Sequence, residues 1–331
     1  MRYNAHILAT KRNNLSDVVP LDTPFTVLIE TSRLCNFKCL FCPQSKYDEF
    51  PLFNDNLMSL DTFDRILAQL KEFPQKIKKI YMHGTGESLL NPDLPEMIRK
   101  LKNSNVTESI DLTSNGALLS PVLGEKLVDA GLDHLHISVE ALSNDDYKKM
   151  AGISKWDFNS FVDQITYFSK IKKGCRLTIK IAERSIKNEM DKEYFFRVFG
   201  SLCDEIFIEN IFPIWPGFKL PDSLESDGSA GQYGQDIQEK QVCPQIFTVL
   251  AIKCDGSVSP CSVDWKNAVC LGNINNVGLR DIWMGQNLRD LRKVHLEKGR
   301  KCQQGCKSCG LPKYSCIDNL DSYKEQILER I

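Results

Sequence analysis

The chain has 331 residues, 42% hydrophobic and 26% charged, an ordinary globular balance with room for one large domain and a smaller one. Its formal charge of −1 leaves no electrostatic footprint for bulk nucleic-acid binding. No stretch approaches the roughly 18 apolar residues that span a bilayer, and the apolar run in the opening "MRYNAHILATKRNNLSDVVPLDTP" is too short for a secretory signal. The expected address is therefore cytoplasmic, with neither membrane nor nucleic acid as partner.

In chain order, residues 1–22 read as an N-terminal arm, and "FTVLIE" (25–30) as a buried β-branched strand. "LDTFDRILAQLKEF" (60–73) repeats apolar residues at helical spacing, with Asp61 at the expected cap. Strands at 79–84, 109–116, 134–141, 176–182 and 205–212 then alternate with helices at 94–104, 121–131, 156–171 and 192–202. Six strands separated by helices predict a parallel sheet with right-handed crossovers, too few units to close an eightfold barrel but enough for a partial (β/α)6 barrel of TIM type over 23–218. Chemistry in such folds gathers at the C-terminal ends of the strands. "PDSLESDGSAGQYGQD" is rich in turn residues, so 219–240 reads as a linker or loop, and 241–331 as a small cysteine-rich domain.

Thirteen cysteines in a cytosolic chain point to metal or redox chemistry rather than disulfides. Cys175 and Cys203 stand alone beside apolar segments and read as small buried hydrophobes. Cys35, Cys39 and Cys42 form C-x3-C-x2-C on the loop leaving the first strand. A structural zinc would want a fourth ligand, and no His or Cys lies within easy sequence reach. A four-iron cluster on three cysteines instead keeps one iron open to a substrate or cofactor.

A C-x3-C-x2-C loop after the first strand of a six-unit β/α barrel resembles the radical S-adenosylmethionine (radical SAM) superfamily. The resemblance implies a [4Fe–4S] cluster on Cys35, Cys39 and Cys42 whose open iron chelates SAM, and cleavage of SAM to a 5′-deoxyadenosyl radical that abstracts hydrogen from substrate. Other strand ends carry the same resemblance. "GTGE" (84–87) resembles the family's Gly-Gly-Glu motif, with Thr85 between Gly84 and Gly86; the resemblance implies that Gly86 lets the backbone approach methionine and Glu87 holds its ammonium. Ser114 and Asn115 in "TSNG" would meet SAM, and Ser138 and Glu140 in "SVE" resemble ribose-contacting positions. Phe41 takes the aromatic place near adenine, and Lys180 or Arg184 could pair with the SAM carboxylate.

The later cysteines resemble the auxiliary-cluster domains called SPASM and, in shorter form, Twitch. The pieces are Cys243, "DGSVSPC" with Gly256 ahead of Cys261, "GNI", "DIW", and the terminal C-x3-C-x2-C-x6-C of Cys302, Cys306, Cys309 and Cys316. Four thiolates complete one [4Fe–4S] cluster, and the expected set is Cys243, Cys261, Cys306 and Cys309, with at least one auxiliary cluster in all. Cys302 or Cys316 could replace a member of that set, and Cys254 and Cys270 read as plain buried thiols. Zinc in a four-cysteine site is the alternative.

A complete auxiliary cluster can accept the electron released when a substrate radical becomes a carbonyl. The resemblance then implies oxidation of a hydroxyl carbon in a carbohydrate-like small molecule, a sugar or aminocyclitol, with a flavodoxin- or ferredoxin-type electron donor. Glu209 and Asn210, at the end of the sixth strand, are the candidates for handling the hydroxyl proton, and Trp215 could wall the site. The arm before residue 25 is too short for the extra recognition domain that peptide modifiers often carry. Alternatives within the same machinery are an epimerase with Cys254, Cys270 or Cys316 as thiol donor, or a peptide-modifying enzyme. An alternative of another class is a non-catalytic zinc module.

Overall fold

The computed structural model describes residues 14–49 and 56–331. Six parallel strands run in order along one sheet: β1 (Thr26–Ile29), β2 (Lys79–Tyr81), β3 (Ile110–Ser114), β4 (His134–Val139), β5 (Arg176–Ala182) and β6 (Glu205–Glu209). A short α1 (Leu15–Val18) precedes them. The crossovers carry α2 (Leu60–Leu70), α3 (Leu94–Ser104), α4 (Pro121–Asp129), α5 (Asn144–Ala151), α6 (Phe158–Ile171) and α7 (Glu189–Phe199). This is the predicted partial barrel, and Cys175 and Cys203 are buried in its core.

Two local readings are corrected. The cap of α2 is Ser59, whose side chain accepts from Thr62 N at 3.1 Å, while Asp61 lies inside the first turn, where a carboxylate favours the helix dipole. Helix α5 falls in a stretch left unassigned from the sequence. Its signals are local: the Ser143 side chain accepts from Asp146 N, and Gly152 ends the helix at φ +66°.

The sheet continues past β1. Strand β7 (Val249–Ile252) pairs parallel with β1, and β8 (Ser257–Ser259) and β9 (Gly272–Asn273) continue antiparallel, giving the order β6-β5-β4-β3-β2-β1-β7-β8-β9. The "DG" hairpin between β7 and β8 turns at Gly256, φ +81°. Then come α8 (Leu279–Met284), α9 (Gln286–Lys298), α10 (Leu311–Tyr314) and α11 (Lys324–Leu328). The cysteine-rich segment is thus joined to the barrel through main-chain hydrogen bonds.

Strand alternation divides the barrel into two faces. Ile80, Ile110, Leu112, Leu135, Ile137, Leu177, Ile179 and Ile206 join the main core with the helices. The alternate residues, including Tyr81, Asp111, His134, His136, Ser138, Thr178, Lys180, Glu205 and Glu209, face the barrel interior, which is polar along most of its height.

Candidate active site

The loops after β1 and β2 are sewn together by buried polar groups. Glu30 Oε2 accepts from Thr85 N at 3.0 Å and Thr85 Oγ1 at 2.8 Å. Gln44 Nε2 donates to Arg33 O and Thr85 O. A Cβ on Gly86 would lie 2.4 Å from Ser32 O and 2.5 Å from Leu34 O, and one on Gly84 would strike the Glu30 side chain at 2.5 Å. Both glycines are therefore required by the packing of the loop that delivers Cys35.

Cys35, Cys39 and Cys42 lie within electrostatic reach of one another. Burial pushes the Cys35 thiol up to about 11 and that of Cys42 to about 12, so only a cationic centre would hold them as thiolates. Phe41 packs against the core and against the patch formed by Ala182, Ile211, Leu220 and Leu224.

Glu87 is 3% exposed. Its Oε1 accepts from Leu89 N and Ser114 Oγ, both at 2.9 Å, and its Oε2 from Asn115 N at 2.8 Å. Burial raises its pKa although these three donors oppose it. No ion pair to Glu87 forms among the described residues, so this buried carboxylate fits an incoming ammonium. Asn115 Nδ2 also donates to Asn36 Oδ1 at 2.8 Å, inside the cysteine loop. Glu87, Ser114, Asn115 and the cysteine loop therefore form one unit.

Glu140 lies beyond the end of β4 and is hydrogen-bonded by the Cys39 thiol; burial, reinforced by Glu209 and opposed by Lys180, moves its carboxyl up to about 8. Lys180 pairs with Ser138 in register and forms a 2.6 Å ion pair with Glu209. Arg184 is turned away, donating to Glu225 O. The Asn210 side chain donates to Ala230 O and Gly231 O, which engages it with the strap over residues 221–236. That strap is packed: Gln232 Nε2 approaches Glu209 Oε2 at 3.4 Å and Gln232 Oε1 accepts from Ser315 Oγ at 2.5 Å. Tyr233, half-buried within reach of Glu209, Tyr81 and Cys316, lies between the interior and the late cysteines.

Cys243, Cys261, Cys306, Cys309 and Cys316 are brought within electrostatic reach of one another, one more than a four-ligand cluster needs. Buried Arg300 holds the C-x2-C loop by donating to Cys306 O at 3.1 Å and Cys309 O at 2.7 Å. Trp215 packs here, beside Cys261 and Cys309. Cys302 is exposed, and so is Cys270, which corrects its reading as a buried thiol: it sits just before the short edge strand β9 rather than in the core. Cys254 is buried behind β1 with its sulfur 3.1 Å from Glu30 O.

Zinc and iron–sulfur ligation differ in spacing. Tetrahedral zinc with bonds of ~2.3 Å needs sulfurs about 3.8 Å apart. Among the described residues, the one group of three donors all within 4.8 Å of one another is Asp111, His134 and His136, and neither cysteine set closes that far.

Tyr81, His83, Asp111, His136, Tyr233 and Arg300 were missed from the sequence. A period-2 reading of "KIYMHG", "SIDLTSNG" and "HLHISVE" places the first four on the interior face; nothing local marks Tyr233 or Arg300. Burial, together with His136 and Lys180, lowers the His83 pKa from 6.5 to about 3, with Asp111 opposing. The unfolded chain then binds a proton that the fold refuses, so stability present above pH 6.5 should be lost as pH falls toward 3. Urea midpoints measured from pH 7 to pH 4 should fall less steeply in His83→Gln; an unchanged slope would remove His83 from that account.

The comparisons with known proteins agree with this geometry. Residues 29–181 match the Radical SAM superfamily and residues 243–310 match SPASM, an iron–sulfur cluster-binding domain. A relative from Methanococcus maripaludis (strain C5 / ATCC BAA-1333), named "Probable GTP 3′,8-cyclase", is 39% identical over 116 residues, 35% of this chain and 36% of that protein. The chain therefore spans about a third of the length of that curated relative. The solved structure of BtrN in complex with AdoMet and 2-DOIA covers 89% of this chain and 96% of its own, at TM-score 0.58 and 17% identity. Streptococcus suis SuiB bound to precursor peptide SuiA covers 94% and 75%, at TM-score 0.66 and 15% identity. The two matched domains imply SAM and [4Fe–4S] clusters as cofactors, and no helix among the described residues is long and apolar enough to cross a membrane. The chain carries a Radical SAM domain over residues 29–181 and, C-terminal to it, a SPASM iron–sulfur cluster-binding domain over residues 243–310.

Proposed function

We propose that the protein is a dehydrogenase-type radical SAM oxidoreductase acting on a hydroxyl-bearing carbon of a sugar, aminocyclitol or related small molecule. The observation that carries this reading is the polar barrel interior, with the Lys180–Glu209 ion pair between the first cysteine loop and the late cysteines. Bound SAM and the clusters supply the one-electron chemistry: a hydrogen-abstracting carbon radical at one end and an electron acceptor at the other.

The chain's own residues supply the rest. Cys35, Cys39 and Cys42 hold the first cluster; Cys243, Cys261, Cys306 and Cys309 hold the auxiliary one. Glu87 takes the SAM ammonium, with Ser114 and Asn115 holding the carboxylate in place. Gly84 and Gly86 let the two loops meet, and Phe41, Ser138 and Glu140 line the nucleoside side. Glu209 accepts the hydroxyl proton, and Lys180 stabilises the carboxylate until then. Asn210 and Arg184 act indirectly by fastening the strap. The electron donor is of flavodoxin or ferredoxin type, and the compartment cytoplasmic.

Epimerisation is the second reading, favoured by one observation. Of the three candidate thiol donors, Cys316 alone comes within reach of Tyr233 at the interior, whereas Cys254 and Cys270 bond to backbone away from it.

Anaerobically reconstituted protein is expected to carry about eight irons, from two four-iron clusters. Reduced and given SAM, it should release 5′-deoxyadenosine. A colourless zinc protein, or full iron without SAM cleavage, would end the enzymatic reading; about twelve irons would end the single auxiliary cluster.

A further inference from the structure

A separate polar cluster occupies the floor of the barrel, at the strand starts and so far from the cysteine loops. Asp111 and His134 are direct partners across β3 and β4, and His136 follows on the same face. Asp111 Oδ2 lies 3.0 Å from Lys79 Nζ, 3.1 Å from His136 Nε2 and 3.3 Å from His134 Nδ1. His134 Nε2 meets Thr178 Oγ1 at 2.7 Å, and Thr178 Oγ1 lies 3.1 Å from Glu205 Oε2. Glu205 Oε1 is buried without a partner.

As a plain hydrogen-bond network this set is overcommitted. Three donors converge on one carboxylate oxygen that has two lone pairs. If a neutral His134 gives its Nδ1 proton to Asp111, its Nε2 must accept from Thr178. The single hydroxyl proton is then unavailable to Glu205, whose remaining neighbour at Oε2 is Arg176 at 3.9 Å.

A cation among Asp111 Oδ2, His134 Nδ1 and His136 Nε2 resolves the count. Both imidazoles then present lone pairs to the ion. His134 carries its proton on Nε2 and donates it to Thr178, which donates to Glu205, the outer-shell arrangement usual for metal-bound histidine. Ligands ~2.1 Å from one ion at octahedral to tetrahedral angles lie about 3.0–3.4 Å apart, and the two N···O separations are 3.1 and 3.3 Å. The His136 side chain remains 19% exposed, which leaves room for water or a ligand oxygen beside the ion. Lys79 is 28% exposed and lies over the Tyr81 ring at 5.3 Å, so it has an outward position to take.

We propose that Asp111, His134 and His136 form a two-histidine, one-carboxylate site for a divalent transition-metal ion, distinct from both cysteine sets, with Lys79 as the competing cation. Two imidazoles and one carboxylate suit Fe2+, Co2+, Mn2+ or Zn2+ better than Mg2+.

The test uses Co2+ alone on the anaerobically reconstituted holoprotein. One cobalt per chain above the cluster iron is expected, with ligand-field bands in the visible and no sulfur-to-cobalt charge transfer. Asp111→Asn should weaken cobalt at least about tenfold, and Thr178→Val about 10- to 100-fold, with iron content unchanged. Lys79→Met should tighten cobalt about tenfold, a gain no structural ion-pair network predicts. Cobalt bound through sulfur, or no cobalt in wild type and Lys79→Met that Asp111→Asn removes, would overturn the site. The readout requires neither SAM cleavage nor a substrate, so it stands or falls separately from the proposed activity.

Discussion

Glu87→Ala is expected to weaken SAM binding by about 100-fold or more and to destabilise the barrel itself. The carboxylate has two tasks that the substitution removes at once. It accepts from Leu89 N, Ser114 Oγ and Asn115 N in a buried setting, and two of these donors are main-chain groups with no other acceptor assigned. Leaving such groups unpaired costs about 1–3 kcal/mol each. As the proposed partner of the SAM ammonium it also forms one half of a buried charge pair, and removing one half of such a pair costs about 3–5 kcal/mol. Glu87→Gln separates the tasks. Its carbonyl can still accept at one position, so much of the stability should return while SAM affinity stays low. Equilibrium dialysis with SAM and urea unfolding give the two readouts; wild-type SAM affinity in Glu87→Gln would remove the ammonium role.

Gly86→Ala is expected to lose the first cluster. The added Cβ would stand 2.4 Å from Ser32 O and 2.5 Å from Leu34 O, and the obstacle is backbone, which cannot rotate away. Either the segment 32–34 shifts, and Cys35 with it, or the loop after β2 shifts and carries Glu87 away. Overpacking of this kind costs about 1–3 kcal/mol. The discriminating measurement is iron content: reconstituted Gly86→Ala should hold about four irons, all in the auxiliary site, where wild type holds about eight. Eight irons with normal SAM binding would show that the loops yield more readily than their hydrogen bonds imply.

Much of the barrel was legible because it is written in local periodicity. The strand at 134–141 alternates cleanly, the helix at 94–104 has Pro95 in its first turn and ends on left-handed Asn105, and the helix at 121–131 has a Ser120 cap and Pro121, so their types followed from local sequence alone. The Asp61 cap failed for a local reason as well: Ser59 competes for the same N–H groups and reaches Thr62 N. The cysteine triplet and "GTGE" were legible because the spacing itself carries the chemistry. Gly86 was legible as a glycine, but not its reason, since the atoms it avoids lie more than fifty residues earlier.

The sequence by itself determined the alternation of six strands with helices, the placement of three cysteines on the first loop, and the separation of a second cysteine-rich segment. These depend on interactions within a few residues, which spacing records. Tertiary structure alone decided that β7 extends the barrel sheet beside β1, that five late cysteines converge, and that the 221–236 strap is packed between Glu209 and Ser315. It likewise brought Asp111, His134 and His136 onto one point in the barrel floor. Each of those depends on strand register or on loop closure between distant segments, and neither is encoded in the spacing of neighbouring residues.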